Sequence, residues 1–112
     1  MKNEPTKGQL SKIPKFYETD DIQMQDKIIY LHFTFATCDW FIAEFDGGDA
    51  FFGFVILNDD LEMAEWGYVS FDFLKMVNIN NQQVENDPDW QIRKASEIER
   101  ICEAQRWEGE SN

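Results

Sequence analysis

The stretch Leu57–Phe71, LNDDLEMAEWGYVSF, sets Asp59, Asp60, Glu62 and Glu65 beside Trp66 with no basic residue among them. Carboxylates at this density can ligate a hard cation through oxygen, work as an acid–base pair, or present negative charge to a basic surface. The spacing speaks against the first use. An EF-hand calcium loop needs alternating acids and a fixed glycine, and NDDLEMAE has neither. A glycosidase pair needs two carboxylates across a cleft, for which a chain this small is poorly suited. Presentation of charge is the use that remains.

The other reactive side chains are sparse. His32 is the only histidine. It cannot supply a two-histidine metal site, and a catalytic base needs neighbours that orient it. Ser70 sits where a helix cap is expected, and nothing around it resembles a GxSxG nucleophile turn. The Gly47–Asp49 run, GGD, lacks the lysine and the spacing of a phosphate loop. Cys38 and Cys102 form no CxxC pair and read as two reduced, packed thiols. The sequence therefore predicts no catalytic residue, no cofactor and no metal ligand.

Charge is distributed unevenly. The 112 residues carry ten basic and 22 acidic side chains, a formal net charge of −12. Residues 1–27 are balanced, five against five, and residues 75–112 hold five bases and eight acids. Residues 28–74 hold nine acids and neither lysine nor arginine. Direct nucleic-acid binding and adhesion to anionic membranes are disfavoured by this sign, because both need Lys and Arg. A basic protein partner is the natural complement. No apolar run reaches the length of a bilayer span, and MKNEPTKGQL lacks the apolar middle of a signal peptide, so a cytoplasmic protein is expected.

The elements that must position these groups follow from periodicity. Length predicts a single domain over 1–112, with an ordered core at about 6–107 and loose ends. Thr6–Phe16 reads as a short amphipathic helix stopped before Pro14. In Lys27–Thr37, Ile29, Leu31, Phe33 and Phe35 alternate with Tyr30, His32 and Thr34, which is a half-buried strand. Cys38–Asp46 follows, with Trp40 and Ile42 on one face and Phe41, Ala43 and Phe45 on the other. GGD turns it into a hairpin with Ala50–Leu57, a strand apolar on both faces, in which Gly53 marks a bulge or a close backbone approach. Trp66–Phe71 is a fourth strand, and Ser70 caps a helix through Val77. A fifth, edge strand is expected before Pro88, and SEIE at Ser96–Glu99 has capping-box spacing for a last helix, with Glu97 paired to Arg100. The fold class is α+β: an antiparallel sheet of four to five strands, with short helices at the N-terminus, after strand four and at the C-terminus.

Several of these stretches together resemble the bacterial and phage family catalogued as domain of unknown function 2958. The resemblance runs from about Ile13 to Ile98 and is carried by IPKFYETD, KIIYLHF, WFIAEFD followed by FFGFV, AEWGYVSFDFL and KASEI. Trp40, Glu44, Asp46, Gly53, Glu65, Gly67, Tyr68 and Ser70 stand at its characteristic positions. The resemblance implies carriage on phages or mobile elements, often beside anti-restriction genes, and implies no enzyme activity or cofactor. At VENDPDW the chain departs from an acid–Arg–Asp–aliphatic run, so no role of that arginine transfers.

The expectation is a small acidic, non-enzymatic binding protein that inhibits a host nucleic-acid-based defence protein, of CRISPR or restriction type, by occupying its basic surface. Asp46, Asp49, Asp59, Asp60, Glu62 and Glu65 would imitate nucleic-acid charge, with Trp66 as an apolar anchor if exposed. The alternatives are a carboxylate- or metal-dependent enzyme using Glu44, Asp46 and Glu65 together, and a passive accessory subunit.

Overall fold

The alternation read in the sequence builds a five-stranded antiparallel sheet in the computed structural model, which describes residues 1–107. In chain order the elements are α1 (Lys7–Ser11), β1 (Ile28–Ile29), β2 (Leu31–Phe35), β3 (Cys38–Phe45), β4 (Ala50–Ile56), β5 (Glu65–Ser70), α2 (Phe71–Met76), β6 (Asn78–Ile79), β7 (Gln82–Gln83), β8 (Glu85–Asn86), β9 (Arg93–Lys94) and α3 (Glu99–Gln105). The main sheet runs β5-β4-β3-β2-β8, and two small ribbons pair β1 with β9 and β6 with β7. The tail EGESN, read as loose, lies outside the described residues.

Both sheet faces are covered, which is why the central strands are apolar on both sides. One face buries Leu31, Phe33, Trp40, Ile42, Phe45 and Phe51 against Ile13, Val84 and the Phe71 and Leu74 side of α2. The other buries Phe41, Ala43, Phe54 and Ile56 beneath Ile29, Ala95, Ile98 and Ile101. Helix α2 starts as expected, with Phe73 N–H donating to Ser70 Oγ at 3.0 Å. Thr6 caps α1 in a reciprocal capping box with Gln9, but that helix ends at Ser11.

Two irregularities correct the strict alternation. Between Ile42 and Glu44 the register of β3 on β4 shifts, so Phe45 joins Trp40 and Ile42 rather than Phe41 and Ala43. The bulge lies opposite Gly53, where a Cβ would stand 2.0 Å from Phe41 O; only glycine admits that approach. At the start of the sheet, Tyr30 N–H donates to Ile42 O although Leu31 is the ladder partner of Ile42. Ile29 is thereby turned to the face opposite Leu31.

The two ends of the chain also differ from expectation. Lys2 N–H donates to Val84 O, and Asn86 N–H to Lys2 O, tying the first residues to β8. Asn86 is buried and its Nδ2 donates to Asn3 O at 3.1 Å. At the C-terminal end Ser96 does not cap α3. It is buried in a tight turn over Ala95–Glu97, and the helix begins after Ile98 with no side-chain cap. Core burial of Ala95 and Ile98 sets that turn, overriding the local cap signal.

Candidate functional site

The nine acids of residues 28–74 fall into three groups once their surroundings are known. Four are answered by bases from outside the segment. Arg100 Nη2 lies 3.1 Å from Asp39 Oδ2 and 2.7 Å from Asp59 Oδ1. Lys27 Nζ lies 4.0 Å from Glu44 Oε2, and Lys75 Nζ 3.5 Å from Asp72 Oδ1. The pairing of Arg100 with Asp39 and Asp59 replaces the expected pair with Glu97, whose carboxylate instead accepts from Lys94 N–H. Burial opposes the charge on Arg100, but the hydrogen bonds and ion pairs from Asp59 and Asp39 outweigh it and raise its affinity for the proton.

Two further acids hold backbone. The Asp46 carboxylate accepts from Gly48 N–H and Ala50 N–H, closing the β3–β4 turn, and those bonds lower its pKa below the usual 3.8. Asp49 accepts from Ser70 Oγ at 2.5 Å and from Asp72 N–H at 2.7 Å, fastening the first turn of α2 to the same hairpin.

Asp60, Glu62 and Glu65 are left. All three are exposed, and none has a salt-bridge partner among the described residues. Asp60 Oδ1 accepts from Met63 N–H at 3.2 Å, which shapes the loop without neutralising it. Asp60 and Glu65 line one groove of about 430 Å³ with Val55, Leu57, Met63 and Tyr68. Met63 is 75% exposed, Tyr68 63% and Leu57 50%, so the floor is apolar and open to a partner. The loop is held by left-handed residues at Asn58 and Asp59, and by Asp59 N–H donating to Thr37 O across the sheet end.

The six acids expected to act together are thus divided between the two ends of β4. Asp46 and Asp49 lie at the turn before it; Asp59, Asp60, Glu62 and Glu65 follow it. Seven strand residues separate the ends, about 23 Å at the usual rise. Trp66 is half-buried and is not among the groove's lining residues. Its ring packs on Phe52 and Phe54, and its Nε1–H donates to Gln105 Oε1 at 3.0 Å, docking α3 on the sheet. Tyr68, Met63 and Leu57 supply the exposed apolar area instead.

The residues considered for chemistry do not converge. Glu44 is buried beside Lys27 and Thr19, whose hydroxyl donates to its carboxylate. Asp46 is committed to the turn, and Glu65 stands opposite Val55 on the outer strand, three ladder pairs from Glu44 and Phe52. No group of three or more potential metal ligands occurs among the described residues. His32 stacks on Phe41 with ring centroids 4.3 Å apart, and its Nε2 lies 2.8 Å from Asp39 Oδ1. A carboxylate only accepts, so the shared proton sits on Nε2. The histidine therefore belongs to the network that Arg100 closes. Sequence reasoning missed Asp39, Lys27 and Arg100 because their partners are remote in the chain.

In comparisons with family models, curated proteins and solved structures, none matches this chain. No helix among the described residues is long and apolar enough to cross a membrane.

Proposed function

We propose that this protein is a small acidic, non-enzymatic binding protein that occupies a basic surface on another protein in the cytoplasm. The observation that carries the reading is the groove lined by Asp60 and Glu65, with exposed Glu62 in the same loop: none of the three has a salt-bridge partner among the described residues. Self-repulsion among them is a cost that a basic partner removes. Exposed Met63, Leu57 and Tyr68 add the apolar area on which affinity rests, while the carboxylates steer the encounter.

The partner class in this reading is a nucleic-acid-handling defence protein of the host, such as a CRISPR nuclease or a restriction enzyme. Its nucleic-acid groove is basic, and occupying it inhibits the enzyme. The support is the charge pattern together with the motif resemblance to the family catalogued as domain of unknown function 2958.

The test is affinity capture from a bacterial lysate at low and high salt, with wild type and with D60N/E62Q/E65Q as bait. Recovery of a nucleic-acid-binding nuclease by wild type, lost at high salt and with the triple variant, is the expected result. Equal recovery by both baits would reject the reading.

A further inference from the structure

We propose that the outer edge of β5 is a strand-addition site, and that its occupant is an extended peptide segment carrying lysine or arginine on alternate residues. This rests on the preceding reading and specifies how the basic partner is held.

The two edges of the main sheet are treated differently. On one side β8 is two residues long, and Lys2 bonds on either side of it, so little backbone is left to pair. On the other side β5 runs for six residues, EWGYVS, and no strand of the described residues pairs with its outer edge. Glu65 puts one charge at its start, but the rest of the strand is free of charge, proline and bulge. Phe71 N–H donates inward to Asp49 O at 2.6 Å. The two-residue alternation of an antiparallel ladder continues that inward set through Val69, Gly67 and Glu65. Trp66 and Tyr68 therefore turn their backbone N–H and C=O groups outward. Gly67 between them carries no side chain, and nothing stands within 4 Å of where its Cβ would be, so the face of the strand there is open.

Charge selects the occupant. The groove along this strand is lined by Glu65, Asp60, Met63 and Leu57, so an added strand meets carboxylates and apolar side chains together. A segment alternating basic and apolar residues would turn its basic side chains to the face that carries Glu65 and its apolar ones to the face of Trp66 and Tyr68, since successive side chains of a strand point to opposite sides. A second copy of this chain would bring Asp60, Glu62 and Glu65 of both molecules to one seam, at a net charge of −12 apiece. Like charges disfavour that pairing.

The experiment is amide hydrogen exchange on the full isotope-labelled chain, with a short peptide alternating lysine and valine. A control peptide of the same sequence, N-methylated at every residue, keeps the charge and removes the ladder donors whichever set faces β5. We expect the Trp66 and Tyr68 amides to slow by about tenfold or more with the first peptide and not the second, and the second to bind about tenfold more weakly, as loss of about one net hydrogen bond implies. Equal binding without protection would overturn strand addition and leave the basic-partner reading standing. Protection that persists in D60N/E62Q/E65Q would overturn selection by charge, and with it the proposed function. Protection without peptide, accompanied by dimer sedimentation, would assign the edge to a second copy and overturn the proposal.

Discussion

Arg100 on α3 binds Asp59, 41 residues earlier in the chain, through Nη2 to Oδ1 at 2.7 Å. The same nitrogen reaches Asp39 on β3, and Asp39 in turn holds His32 on β2. One cation thus joins the C-terminal helix to two strands and to the loop that carries the free acids. The loop's geometry depends on a residue that is neither in it nor near it in sequence.

Replacing Arg100 with alanine should therefore cost more than replacing its exposed partner. The Asp39 side chain is only 13% exposed and would lose its base, whereas Asp59 is 56% exposed. Arg100→Ala should lower the free energy of unfolding by about 1–2 kcal/mol, and Asp59→Asn by about 0.5 kcal/mol or less. Urea titration of both variants checks the order; equal losses would show that Asp39 does not depend on the pair.

The buried Lys27–Glu44 pair should be strongly non-additive. Lys27 also donates to Thr19 O at 2.7 Å, so removing Glu44 leaves a held but uncompensated ammonium in the core. Glu44→Ala should cost about 3 kcal/mol, and the double variant Lys27→Met/Glu44→Leu should cost less than the sum of the single changes. A double-mutant cycle in urea measures the coupling.

Glycine should be indispensable at one strand position and optional at another. A Cβ at Gly53 meets the Phe41 carbonyl oxygen at 2.0 Å and its carbon at 2.8 Å, both backbone atoms that cannot step aside. Gly53→Ala should destabilise by about 3 kcal/mol as the β3 bulge is forced apart. Nothing lies within 4 Å of a Cβ at Gly67, so Gly67→Ala should be neutral or stabilise by about 0.5 kcal/mol through the unfolded chain. Thermal unfolding of the two variants reads the difference.

Asp46 predicts an acid-linked loss. Hydrogen bonds from Gly48 and Ala50 N–H hold its folded pKa below the ordinary 3.8. A depressed folded pKa means stabilisation that is complete above the unfolded value and is lost as pH falls through the folded one. Asp46→Ala should therefore be less stable than wild type at neutral pH, with the gap closing below about pH 4. A gap independent of pH down to 2 would mean that the turn does not rely on the ionised carboxylate.

What the sequence by itself determined was local. Strand periods in Leu31–Phe35 and Ala50–Leu57, the GGD hairpin, the Ser70 cap and the acidic middle segment all follow from neighbours along the chain. Period-two alternation and side-chain capping act over two to four residues, so a linear reading reaches them. Gly53 was also legible, since a glycine inside an apolar strand has few other uses. Tertiary structure alone decided which acids are free. Arg100, Lys27 and Lys75 reach into a segment that contains no base, and Asp46 and Asp49 are taken up by backbone. It also decided that Phe45 changes face and that Trp66 packs under α3. A bulge shifts every later side chain, and an ion pair forms only between groups that folding brings within a few ångströms. Neither is encoded in the spacing of the residues that take part.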